Sequence, residues 1–204
     1  SEIISDLLEG EWLQDSVVGD FFISVPQLDR IHNLKTASLF KWCLRAPFIA
    51  LENYDKELHL ILNEMGTLLG QLFQRSDDLL DYDIRNDEGK AILGDLKSGY
   101  LNSFGAFVAA GMSRPDIDKM VKSNDLNDFY KVFDANEVTG REKFLEKVNQ
   151  FDLINIEKIN LYHHYVQQLN AKLLDLKLDH VSTQQLMIIL NSLQDKGAGF
   201  RYDT

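Results

Sequence analysis

The chain has 204 residues, enough for one large domain with a substantial core, and its 45% apolar and 26% charged residues are ordinary for a globular protein. A formal net charge of −11 argues against nucleic acid or an anionic membrane surface as a partner, yet admits an anionic small substrate neutralised by metal ions or a few lysines. The single cysteine, Cys43, excludes an intrachain disulfide, and without a membrane-length apolar run or a signal-peptide pattern the expectation is a cytoplasmic protein with no membrane span.

Helical periodicity dominates the chain and predicts helices at about 2–15, 27–45, 54–83, 95–112, 114–122, 125–134, 140–176 and 182–195. Pro26 and Pro115 suit first helical turns, and Ser113 and Asn124 suit N-caps. Leu28, Ile31, Leu39 and Trp42 form one apolar stripe of the second helix, with Lys35 on it, and Cys43 on that helix is expected in the core. A lysine so placed either snorkels to the rim or aims a point charge into a cavity, as phosphate binders do, with the Thr36 hydroxyl beside it.

The third helix carries the strongest signal. From Met65 to Gln74 it bears no charge, and a helix apolar on every side is buried. Gln74, Asp77, Asp78 and Asp81 then follow the i, i+3, i+4, i+7 rule and share one face. Carboxylates along a buried helix are costly unless something cationic sits against them. Magnesium suits them, because it takes carboxylate oxygen and commonly completes its shell with water and substrate phosphate. The bland alternative is a solvated acidic helix end continued by Asp83, Asp87 and Glu88. An EF-hand begun at Asp81 fails at Arg85, Asn86 and Ile92, and a P-loop begun at Gly89 fails where Gly94 is followed by Asp95 and Leu96. Lys90, in the loop punctuated by Gly89, Gly94 and Gly99, offers a second charge of the Lys35 kind.

These residues together resemble the trans-isoprenyl diphosphate synthases. Phe73-Gln74-Arg75-Ser76-Asp77-Asp78-Leu79-Leu80-Asp81-Tyr82 is similar to the family's second aspartate-rich motif. Gly66 and Gly70, Lys35-Thr36 with Leu39-Phe40, Gly89-Lys90 and Gly94-Asp95-Leu96 fall in the family's order, and Gly10-Glu11-Trp12-Leu13 resembles the helix that opens this half. The likeness runs over residues 8–110; residues 113–204 read as C-terminal helices of the same polyprenyl synthetase domain, so that 1–204 forms its C-terminal part.

The resemblance implies an all-α bundle of long helices around a central cavity, usually dimeric. It implies a Mg2+-dependent prenyltransferase joining isopentenyl diphosphate to an allylic diphosphate in a head-to-tail (1′-4) condensation. By position, Asp77 would ligate magnesium, with Asp78 and Asp81 supporting it directly or through water. Lys35, Thr36 and Lys90 would hold the allylic diphosphate, and Gln74 would face its reacting end. There are departures. The chain has no second DDxxD, so the first aspartate-rich motif is expected on a missing N-terminal half or a second subunit. Glu11 stands where the family usually has glutamine, and Tyr100 where it has a second loop lysine. A non-catalytic partner subunit of a heteromeric prenyltransferase is the alternative. A terpene cyclase is disfavoured by DDxxD, and a plain helical interaction module leaves the aspartate stripe unexplained.

Overall fold

A computed structural model describes residues 2–83, 91–178 and 181–197, and all regular structure among them is helical. In chain order the helices are α1 (Glu2–Ser16), α2 (Val25–His32), a π-helical turn (Asn33–Ala37), α3 (Ser38–Ala50) and α4 (Lys56–Leu80). Then follow α5 (Gly94–Lys97), α6 (Ser103–Ala109), α7 (Arg114–Val121), α8 (Leu126–Phe133), α9 (Glu137–Asp175) and α10 (Gln184–Gly197). No helix among the described residues is long and apolar enough to cross a membrane.

Five of these helices, α4 and α6 to α9, start at short polar side chains satisfying the first free N–H groups. Asp55 accepts from Leu58 N at 2.9 Å, Asn102 from Gly105 N at 3.0 Å and Asn136 from Val138 N at 3.1 Å. Ser113 caps α7 as expected, whereas α8 is capped by Asp125, which accepts from Asp128 N at 2.9 Å, and not by Asn124. The helix expected over 95–112 is two helices. Gly99, at φ +84°, turns the chain after α5, and Asn102 restarts it as α6. A substituted residue would resist that left-handed conformation.

The helix expected over 27–45 runs to Ala50 but is interrupted by the π turn. An i→i+5 turn holds about one residue more than an α turn, which rotates every later side chain by roughly 100°. Leu28 and Ile31 are therefore buried, while Leu39 and Trp42, expected on the same stripe, are each 49% exposed. Cys43 is also exposed, not in the core.

Helix α4 is the centre of the bundle, packed against α3 on one side and α9 and α10 on another. Gly70 makes the close approach of the π turn to α4 possible: a Cβ there would lie 2.4 Å from Ala37 Cα. The apolar interior forms two clusters. One gathers Leu79, Tyr82, Phe104, Phe129, Phe144 and Phe151 with their neighbours, and the other gathers Leu58, Leu62, Met65, Leu69, Tyr162 and Leu169 with theirs. Both are threaded by α4 and α9.

Candidate active site

The π turn lies across the C-terminal half of α4, and this juxtaposition joins residues far apart in sequence. The Thr36 hydroxyl donates to Gln74 Oε1 at 3.2 Å, and Gln74 Nε2 donates to Asp78 Oδ1 at 3.0 Å. The other Asp78 oxygen accepts from the Ser103 N–H at 2.8 Å and the Ser103 hydroxyl at 2.5 Å. Lys35, next to Thr36 in the π turn, meets α1 instead: its Nζ donates to Gln14 Oε1 at 3.1 Å and lies 3.1 Å from Glu11 Oε1. Gly10 allows that meeting, because a Cβ on it would sit 2.7 Å from the Lys35 backbone nitrogen.

The three aspartates of the stripe have different surroundings. Asp77 is partly exposed. Asp78 is 2% exposed, and burial pushes its carboxyl up from the ordinary aspartate value while its hydrogen bonds to Ser103 and Gln74 pull the other way. Asp81 is also buried, and its carboxylate accepts from Gly94 N at 2.8 Å and Asp95 N at 3.3 Å. Because α4 ends at Leu80 and the chain turns back, α5 and α6 close over the face that a continuing helix would leave open. Asn102 locks this closure by donating to the Asp78 carbonyl at 3.2 Å and to Asp95 Oδ2 at 3.0 Å. Lys90 lies outside the described residues.

Among the described residues no three His, Cys, Asp or Glu side chains are arranged to hold a metal ion. Among the described residues, this end of α4 thus offers no all-protein cage. The donor set fits a hard cation shared between one carboxylate, Asp77, and an anionic ligand, with Asp78 and Asp81 bracing the helix end; magnesium commonly binds in this way. Tyr100, noted above as a departure from a family lysine, is half-buried. Burial, then Asp78 and Asp95, push its phenol up, so it stays neutral.

A buried polar layer escaped the sequence reading. Arg75 is 2% exposed, and its Nη2 donates to both Asp29 oxygens at 3.0 and 2.8 Å. Its Nη1 donates to Asn155 Oδ1 at 2.9 Å. Lys158 donates to Gln71 Oε1, whose amide nitrogen donates to Asn33 Oδ1 at 2.8 Å. The layer ties α2, the π turn, α4 and α9 together between the two apolar clusters. Its signal was available: Gln71 and Arg75 are i, i+4 on a helix otherwise read as buried. His32, 1% exposed, adjoins it, and burial lowers its imidazole to about 4, with Arg75 and Lys35 contributing against Asp29.

The polyprenyl synthetase family pattern matches residues 1–138. The chain is 29% identical over 194 residues to decaprenyl-diphosphate synthase of Dictyostelium discoideum, covering 95% of this chain and 39% of that protein. It is 36% identical over 100 residues to octaprenyl diphosphate synthase of Escherichia coli, covering 48% of this chain and 31% of that protein. Farnesyl diphosphate synthase of Buchnera aphidicola matches at 29% over 100 residues, 49% of this chain and 33% of that protein. The chain thus spans a third to two fifths of the relatives it matches. No solved structure matches it significantly. An all-helical bundle with this aspartate motif and this family match defines the class: the chain belongs to the polyprenyl synthetase family.

Proposed function

We propose that the chain is part of a Mg2+-dependent isoprenyl diphosphate synthase, which condenses isopentenyl diphosphate head-to-tail with an allylic diphosphate. The observation that carries this reading is the hydrogen-bonded chain Thr36–Gln74–Asp78, which joins hydroxyl, amide and carboxylate groups at the C-terminal end of α4, with Lys35 next to Thr36 in the π turn. Lys35 and Thr36 bind the allylic diphosphate, the lysine as a point charge and the hydroxyl as a donor. Gln74, held by Thr36 and Asp78, faces the reacting end of the substrate. Asp77 holds the cation; Asp78 and Asp81 fix the backbone that presents Asp77. Bound magnesium would neutralise the charge developing on the departing diphosphate. Lys90 is assigned a further diphosphate contact.

The remaining part of the site, with the first aspartate-rich motif, comes from sequence beyond this chain or from a second subunit. Ile4, Leu8 and Trp12, spaced i, i+4, i+8 on α1, are 64, 66 and 69% exposed and support burial of that stripe against another polypeptide, as in a dimer. A cytoplasmic setting belongs to the same reading. The alternative, a non-catalytic partner subunit, is favoured by Tyr100 at the expected lysine position.

The test is Asp77→Ala in the full-length protein, assayed with isopentenyl and geranyl diphosphates plus MgCl2. Turnover should fall at least a hundredfold, a loss of about 3 kcal/mol of transition-state stabilisation, with the unfolding midpoint nearly unchanged. Unaltered turnover removes Asp77 from the site. An inactive wild type, assayed alone, favours the partner-subunit alternative.

A further inference from the structure

Lys35 is already engaged. Its ammonium meets Glu11 Oε1 at 3.1 Å and Gln14 Oε1 at 3.1 Å, two groups one helical turn apart on α1. The approach is built in: at Gly10 the helix lies against the Lys35 backbone too closely for any Cβ. The Lys35 side chain is 30% exposed and that of Glu11 56%, so the carboxylate can swing into solvent while the lysine stays directed by the π turn. A partly exposed pair of this kind is weak and breaks readily.

We propose that Glu11 is an internal competitor for the diphosphate: its carboxylate occupies Lys35 in the empty site, yields it to the incoming anion and reclaims it as the anion leaves. This rests on Lys35 holding a diphosphate. A diphosphate carries several negative charges against one on Glu11, and wins the lysine when metal-bound and positioned by Thr36. Each binding event must first displace Glu11 from the lysine, which weakens binding, and the return of Glu11 to the lysine as the anion leaves eases release. Release of product or opening of the site limits turnover in many enzymes, which makes such a device useful. Gln14 keeps its contact throughout and prevents Lys35 from drifting when Glu11 withdraws.

The test is titration calorimetry of inorganic diphosphate with MgCl2 into the full-length protein and its Glu11→Gln, Lys35→Met and double variants. Glu11→Gln should bind about fivefold more tightly, and Lys35→Met at least tenfold more weakly. In the Lys35→Met background, Glu11→Gln should have no effect, because the carboxylate acts through the lysine. A Glu11→Gln variant that binds like wild type, while Lys35→Met weakens binding, overturns the competitor and leaves the diphosphate reading standing. Equal tightening by Glu11→Gln with and without Lys35 also overturns it, since the carboxylate would then act only as a general field. Lys35→Met that binds like wild type removes the diphosphate reading, and the competitor with it.

Discussion

At the scale of single residues, His32 carries a definite pH signature. In the unfolded chain its imidazole titrates near 6.5, and in the folded protein near 4, so the unfolded state takes up the proton first as pH falls. Its contribution is complete above pH 6.5, is lost progressively between 6.5 and 4 and changes no further below. The loss is roughly 3 kcal/mol. Asp78 acts in the opposite sense, since its raised carboxyl removes stability as pH rises. Comparing urea unfolding of wild type and His32→Leu from pH 7.5 to 4.5 cancels the Asp78 contribution. The wild type should lose stability relative to the variant as pH falls through this range, and parallel curves would place the titration elsewhere.

The helices were largely legible from sequence because two independent signals coincide at their ends: 3.6-residue periodicity and Ser, Asp or Asn caps. The π turn was not legible, since Asn33–Ala37 contains no residue type that distinguishes an i→i+5 turn from an α turn. The errors at Leu39, Trp42 and Cys43 follow from that one added residue. The candidate site was legible as a list: Lys35, Thr36, Gln74 and the three aspartates follow from spacing and resemblance. Which of them touch was not, because Thr36 and Gln74 are brought together only by the packing of the turn on α4. Gly70 makes that packing measurable. Alanine in an ordinary helix interior gains up to about 1 kcal/mol over glycine. Here its Cβ would lie 2.4 Å from Ala37 Cα, so the clash reverses the sign. Gly70→Ala should destabilise by about 1–3 kcal/mol in urea unfolding, with diphosphate affinity falling as Thr36 is displaced from Gln74. A stabilised variant would mean that the turn and α4 separate at little cost.

At the scale of the whole molecule, α9 is the longest structural member. Its 39 residues span roughly 58 Å, and it contributes Phe144, Val148 and Phe151 to one cluster and Tyr162, Val166 and Leu169 to the other. The polar layer crosses it between those two sets, at Asn155 and Lys158. Removing one partner of a buried ion pair is far more damaging than removing both. Asp29→Leu, which leaves the buried Arg75 unpaired, should therefore destabilise by about 3–5 kcal/mol; Arg75→Met, which leaves the partly exposed Asp29 with Lys158 at 3.8 Å, should cost less, and the double variant much less than their sum. Strict additivity in equilibrium unfolding would show that the pair is not coupled in the folded state.

The same layer constrains how a sequence of this kind can change over generations. A lineage that lost Arg75 alone would leave Asp29 with only the longer contact to Lys158, and one that lost Asp29 alone would strand Arg75, which is 2% exposed. An all-apolar replacement is tolerable only when complete, so each intermediate is less fit than either end state. Positions 29, 75, 155 and 158 should therefore be inherited as a block. Among relatives that share this arrangement they should be found together or absent together, even where the surrounding leucines and phenylalanines exchange freely.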